Sequence, residues 1–410
     1  MAGPLSGFTV LDLSAMLSGP WAADILGDQG ADVIKIEPLG SGEHTRQMLG
    51  RGGALNTMFL NINRSKRSVA LNLKHPRGRA LLMELVGRAD VLLQNFRPGV
   101  VERMGIGYAD CHAVNPRLVY LSISGFGEQG PLAQQRVYDP VIQALSGLTT
   151  IQGGADDRRP ALVRTIVPDK LTAVTAAQAI TAALLARERT GEGQHVRLSM
   201  LDAVLAFLWA SDMGAQTLAD EPAPNQRAAS LIDLIYETQD GYMTVAAVTD
   251  KEWKGLSQAV GHPEWVDDPR FATASQRQQN IDARLALTQE ALRQGTVAEW
   301  TERLTAHDVP CAPCLTRNEV IHHPQILASG IVRESEHPWA GRLRQTRTAA
   351  RFEGTPPASP RGAPLLGEHT AEVLHMLGYG AEDVAALRAQ GVIGAEDGAT
   401  AAAAKDAGTG

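Results

Sequence analysis

In the stretch RTIVPDKLTAV, Arg164 to Val174, an aspartate follows a proline at the start of a long alanine-rich helical pattern. A carboxylate placed there has two uses. As a cap, Asp169 accepts backbone N–H bonds at the helix start, worth about 1 kcal/mol. As a reagent it exploits the same setting, because the N–H groups and the positive helix end favour the anion and stabilise an oxyanion formed beside it. The stretch by itself favours the cap.

Two further segments carry chemistry. Between Arg64 and Arg79 the run RSKRSVALNLKHPRGR holds six Lys or Arg and no acid, the side chains that phosphate groups require; a solvated basic face is the plainer account. QNFRPGVVERMG, 94–105, sets Asn95, Phe96, Arg97 and Arg103 beyond the carboxyl end of an expected strand, where ligands of open α/β sheets bind. An aromatic to stack a base, an amide for its edge and arginines for phosphates suit an adenine nucleotide. Cys311 and Cys314 form a CxxC near His307, His322 and His323. Without a second CxxC or a strand-to-helix redox context, VPCAPC reads as a Pro-punctuated turn with small buried thiols, and no metal is expected.

The elements that must hold these groups alternate. FTVLDL, SAMLSGP, WAADILGDQGA and DVIKIE read as strand, turn, helix, strand, and SVALNL, ADVLLQNF and RLVYLSISGFG continue the pattern. Such alternation predicts a parallel sheet covered on both faces. Gly19 and Glu37 are spaced like a dinucleotide fingerprint, but SAMLSGP has one glycine where three are needed, so that ligand is not expected. After the helix of Asp169, RTGEGQHVRLSM predicts a further strand and LDAVLAFLWAS a helix. Residues 1–213 form the first part of a large domain and 214–228 a linker. LIYETQDGYMTVAA, with helices carrying Trp253, Trp265 and Trp300, opens a smaller α+β domain at 229–325. Residues 394–410 read as a low-complexity, disordered tail.

With 410 residues, 44% of them hydrophobic, and a net charge of -7, the chain reads as an ordinary globular protein whose overall field suits neither nucleic acid nor an anionic membrane. Three cysteines fit a reducing compartment, and neither a signal peptide nor a membrane span is read, so a cytoplasmic location is expected.

LDLSAMLSGP, GADVIKIE, NRSKRSVALNLK, NFRPG, YLSISGFGEQGP, YDPVIQALSG, RTGEGQHVRLSM and PLLGEHT, in this order, resemble the class III coenzyme A transferases. This family includes formyl-CoA transferase and carnitine CoA-transferase, with α-methylacyl-CoA racemases as a sister branch. The resemblance implies an α/β fold with a Rossmann-like large domain built from both chain ends, to which 326–393 return, and a smaller inserted domain. It further implies an interlocked homodimer, an exception to the usual avoidance of threaded chains. Acyl-CoA and a carboxylic acid are the implied substrates, with no tightly bound cofactor. The family's catalytic aspartate falls at Asp169, and its CoA contacts match Leu71, Lys74, Asn95, Phe96, Arg103, Met104 and Tyr138. Arg136 stands where a basic residue is also found.

On this resemblance Asp169 is a nucleophile that forms an acyl anhydride and then a CoA thioester. Ala15 and Leu17 replace polar residues of the formyl-CoA branch, Pro38 replaces a basic one, and a glycine run is missing around 226–240. These departures weaken an oxalate or formate assignment and favour an acid with an apolar body. A racemase needs a His/Asp pair, yet the chain has Val137, Tyr138 and Asp139 at the racemase GlyHisAsp position and no histidine between His112 and His195. A non-catalytic acyl-CoA-binding protein is the other alternative, and a retained Asp169 argues against it.

Overall fold

The computed structural model describes residues 3–48, 55–221, 223–226, 228 and 234–394. The expected tail thus lies outside the described residues, except for Gly394. The described chain divides into two compact units, residues 1–229 with 331–410, and residues 230–330.

The first unit is built on six strands: β1 Thr9–Asp12, β2 Asp32–Glu37, β3 Lys66–Ala70, β4 Val91–Gln94, β5 Val119–Ser124 and β6 Gln194–Ser199. Their order is β3-β2-β1-β4-β5-β6, and every pair is parallel. Alternate side chains feed two cores, as the strand pleat requires. Leu11, Ile34, Leu92 and Tyr120 pack to one side with Leu81, Leu85 and Val373. Val10, Val33, Val91, Leu93 and Leu121 pack to the other, against Ala173, Ala177 and Ile180 of the long helix Val167–Thr190 and against Ala22 and Leu26 of the helix Ser18–Asp28. The alanines let that long helix approach the sheet closely, and it stops at Gly191, whose φ of 81 is left-handed, the usual glycine C-terminal stop.

The strand order runs outward in one direction from β1 to β3 and in the other from β4 to β6, which makes the carboxyl ends of β1 and β4 the switch point of the sheet. The last described segment returns to β3: Leu71 bridges Ile393, and Asn72 N donates to Val392 O at 2.9 Å. Strands β10 Val332–His337 and β11 Gly341–Thr346 form a separate antiparallel pair. Between β6 and β10 in sequence lie β7 Ile235–Glu237, β8 Tyr242–Val245 and β9 Cys311–Pro313, the antiparallel sheet of the second unit. Trp253, Trp265, Phe271 and Trp300 form its core.

Two readings of the sequence are corrected here. VPCAPC is not a turn with buried thiols: Cys311 pairs within β9, half-buried, and Cys314 is exposed. The basic run is not a solvated face over its first half. Lys66 is buried and donates to Asp12 Oδ2 at 2.8 Å, Arg64 pairs with Asp28, and Arg67 with Asp32 and Glu372. Lys66 and Arg64 neutralise buried acids, while buried Arg67 is met by two more exposed ones. Among the described residues no helix is long and apolar enough to cross a membrane.

Candidate active site

The turn after β1 is the first wall of the site. Asp12 accepts from Ser14 N at 2.9 Å, and Lys35 from β2 donates to Ser14 O at 2.9 Å. Gly19 is required by close approach, since a Cβ there would stand 2.3 Å from Ser14 Cβ. Met16 adopts a left-handed φ of 70, rare for a side chain of its size. Its N–H is held by Glu43 Oε2 at 3.1 Å, and Ala15 is held on both sides by Asn95, which accepts from Ala15 N at 2.9 Å and donates to Ala15 O at 2.7 Å. The turn delivers Ser18 as the first residue of its helix.

Asp169 comes from the opposite side. It is the third residue of the helix Val167–Thr190 and does not cap it, because Ile166 occupies the cap position without a side-chain bond. Its carboxylate instead faces the Ser18 hydroxyl and N–H, whose donor dipoles favour the charged form. The carboxylate thus sits at the positive end of another helix. The Asp169 N–H donates to Asp139 Oδ2 at 3.4 Å, and Gln143 Nε2 holds Asp139 Oδ1 at 2.6 Å. Gln143 also accepts from Val163 N at 2.9 Å, fixing the approach to the helix.

Burial raises the Asp169 carboxyl to about 6, and the Asp139 charge adds to this, while the Ser18 hydroxyl and N–H oppose it. Asp139 is also raised, chiefly by burial. Lys170, the nearest cation in sequence, turns to Thr165 Oγ1 at 2.7 Å.

A cavity of about 260 Å³ opens on this carboxylate at the carboxyl ends of β1, β4, β5 and β6. Met16 and Ser18 line it from the first turn, Asn95, Phe96 and Arg97 from the segment after β4, Arg136, Val137 and Tyr138 from the segment before Asp139, and Met200 from the residue after β6. No histidine lines it, so the pair a racemase needs is not assembled among the described residues.

Of the residues singled out in the sequence, Asp169, Asn95, Phe96, Arg97, Arg136 and Tyr138 share this cavity. Leu71, Lys74, Arg103 and Met104 lie outside it. Leu71 is buried in the same apolar cluster that Phe96 and Met104 pack against, and its N–H is bonded to Glu37 O at 2.8 Å. Lys74 and Arg103 are exposed. The amide of Asn95 holds Ala15 with one N–H and one lone pair and still lines the cavity. Leu17 is buried and absent from the lining, where Met16 takes its place. Ser18, Asp139 and Gln143 were not assigned to the site from sequence, although SAMLSGP and YDPVIQALSG contained them.

A parallel sheet with a crevice at its switch point and a buried carboxylate inside it defines an α/β enzyme. The family described as CoA-transferase family III matches residues 5–370. An acetyl-CoA:oxalate CoA-transferase of Acetobacter aceti is 37% identical over 372 residues, 90% of this chain and 94% of that protein. A succinyl-CoA:glutarate CoA-transferase of Homo sapiens is 32% identical, across 95% of this chain and 90% of the human protein. The crystal structure of a CAIB/BAIF family protein from Brucella suis aligns with a TM-score of 0.80 and 32% identity, covering 92% of this chain and 100% of that one. The chain belongs to CoA-transferase family III, and it is an enzyme that moves coenzyme A from an acyl-CoA to a carboxylic acid.

Proposed function

We propose that Asp169 carries both covalent intermediates of this transfer. The carrying observation is a carboxylate at the switch point that faces Ser18 and the cavity, with no ion pair to a cation among the described residues. One Asp169 oxygen attacks the thioester carbonyl carbon of the donor, the carbon–sulfur bond breaks, and CoA leaves as a thiolate from a mixed anhydride. The thiolate then attacks the Asp169 carbonyl, releasing the donor acid as a carboxylate and leaving an aspartyl-CoA thioester. The acceptor carboxylate displaces CoA from Asp169, and the thiolate returns to the acceptor carbonyl to release the new thioester and the free aspartate. No proton or electron is gained or lost overall. Splitting one exchange into such steps keeps the acyl group activated throughout.

Ser18 N–H and Oγ–H serve as donors to the oxyanion that develops on the aspartyl carbonyl. Phe96, Arg97, Arg136 and Tyr138 hold CoA at the cavity mouth, while Lys74 and Arg103 meet its phosphates farther out and Met104 supports the Phe96 side. Asp139, whose negative charge adds to the effect of burial, keeps the nucleophile basic.

The protein acts as an interlocked homodimer in the cytoplasm, with a Rossmann-like large domain and the 230–330 unit as its inserted small domain. Sedimentation showing a reversible folded monomer would contradict the interlocked form. With Met16, Val137 and Met200 in the lining, an acid with an apolar body, either a monocarboxylate or a methyl-branched dicarboxylate, replaces oxalate as the best acceptor. The oxalate and glutarate named for the two relatives are the comparison substrates. Each buried methylene contributes about 0.8 kcal/mol, whereas oxalate must give up the hydration of two charges.

The decisive experiment incubates the enzyme with acyl-CoA and hydroxylamine and maps the adduct by mass spectrometry. A hydroxamate at Asp169, absent from Asp169→Ala, is expected. Transfer by Asp169→Ala at the wild-type rate would end this reading.

A further inference from the structure

The second unit holds its own cavity, of about 230 Å³, at the edge of the tryptophan core. Its walls are mainly apolar, with Leu234, Val245 and Leu256 beside the Trp253 ring. Two guanidinium groups line it, Arg277 and Arg284. Arg277 is 1% exposed; it donates to Phe271 O at 3.0 Å and to Asp250 Oδ1 at 2.5 Å, but its Nε is shielded from water and has no hydrogen-bond partner. Arg284 is half-buried, and among the described residues its guanidinium has no assigned hydrogen bond or ion pair. Burial pulls it below its ordinary value, Tyr236 opposes this, and the nearby Arg277 charge adds to the depression.

Arg277 therefore has a carboxylate partner in Asp250, while the charge of Arg284 stands unmatched in a partly dry cleft. An unpaired buried charge is costly unless a partner reaches it. A guanidinium fork matches a carboxylate in geometry. Apolar walls with few other donors suit a single negative charge on an apolar body better than a phosphate. The volume lies below the roughly 300–1,000 Å³ of pockets for drug-sized ligands, which points to a small acid and not to a CoA thioester.

We propose that this cavity binds a small organic monocarboxylate with an apolar or aryl body, its carboxylate meeting Arg284 and its body lying against Trp253. The CoA-transferase reaction consumes one carboxylic acid and releases another, so such ligands are at hand. The proposal does not depend on Asp169 being the nucleophile.

The test titrates the full-length protein with benzoate, benzamide and inorganic phosphate while tryptophan fluorescence is followed. Benzoate is expected to bind and change the emission, and the other two are not. Arg284→Gln should weaken benzoate roughly tenfold or more, as loss of a charge-assisted hydrogen bond requires, with Arg284→Lys between. Trp253→Phe should remove most of the signal, while calorimetry still detects binding. The unpartnered Arg284 guanidinium should be dispensable for folding, which circular dichroism checks; if the Gln variant does not fold, the Lys variant must still show weakened binding. No benzoate response in folded wild type, equal binding of benzamide or phosphate, or unchanged affinity in the folded Arg284 variants would each overturn the proposal.

Discussion

Asp12 and Asp169 hold the two ends of one turn, from the end of β1 to the first residue of the next helix. Asp12 is fully buried, and burial by itself would raise its carboxyl; Lys35 at 3.4 Å and Lys66 at 2.8 Å outweigh that and hold it well below the ordinary carboxylate range. Asp169 feels the same push from burial, but the charge that acts on it is that of Asp139, and the Ser18 hydroxyl and N–H only partly compensate. Burial therefore does not distinguish a structural acid from a reactive one. The sign of the neighbouring charge does.

The comparison is sharpened most by Asp169→Asn, which keeps the shape of the side chain and removes the nucleophile. Turnover should fall by several orders of magnitude. Stability should move the other way. A folded carboxyl raised from 3.8 to about 6 contributes stability below pH 3.8 that is lost as the pH rises through 6. At pH 7 the Asn variant should therefore be more stable, on the order of 1–2 kcal/mol, in urea unfolding. A less stable variant would mean that the charge at Asp169 is compensated after all.

Lys66→Met tests the other side. Removing one partner of a buried ion pair costs about 3–5 kcal/mol, and here it also strands Asp12, Asn63 Oδ1 and Pro20 O, all bonded to the same ammonium. The denaturation midpoint should fall accordingly. An unchanged midpoint would break the claim that these cations are structural.

Because attack requires the ionised form, wild-type kcat/KM should decline tenfold per pH unit below about 6. Asp139→Asn removes the charge that helps to raise Asp169, so this acid limb should shift to lower pH. A limb that stays in place, measured by initial rates across pH, would remove Asp139 from the mechanism.

The smallest effect is expected at the rim. Lys74→Ala should raise KM for acyl-CoA several-fold while kcat changes little, the pattern of lost uniform binding. Equal values for CoA and dephospho-CoA substrates in both proteins would place the phosphates elsewhere.

Much of the frame could be read from local pattern. FTVLDL, DVIKIE, SVALNL, ADVLLQNF and RLVYLSISGFG each became or overlapped a parallel strand, because pleat alternation and helix periodicity are properties of neighbours in the chain. The stretch around Asp169 suggested only a helix cap, which the structure places at Ile166 instead, and it was the ordered motifs of the family that singled out this carboxylate. What the chain order does not encode is which distant groups meet. Nothing near Asn95 in sequence showed that β4, lying beside β1, would bring its amide to Ala15. Arg64, Lys66 and Arg67 looked like a phosphate cluster until β3, lying beside β2, turned them toward Asp28, Asp12 and Asp32.

The sequence by itself determined the strand-and-helix alternation, the position of a carboxylate at a helix start and the number of cations nearby. Only the tertiary structure decided that Asp169 faces Ser18 and Asp139 while Asp12 faces two lysines. A charge is tuned by groups within a few ångströms, and strand order, not sequence distance, sets which groups those are.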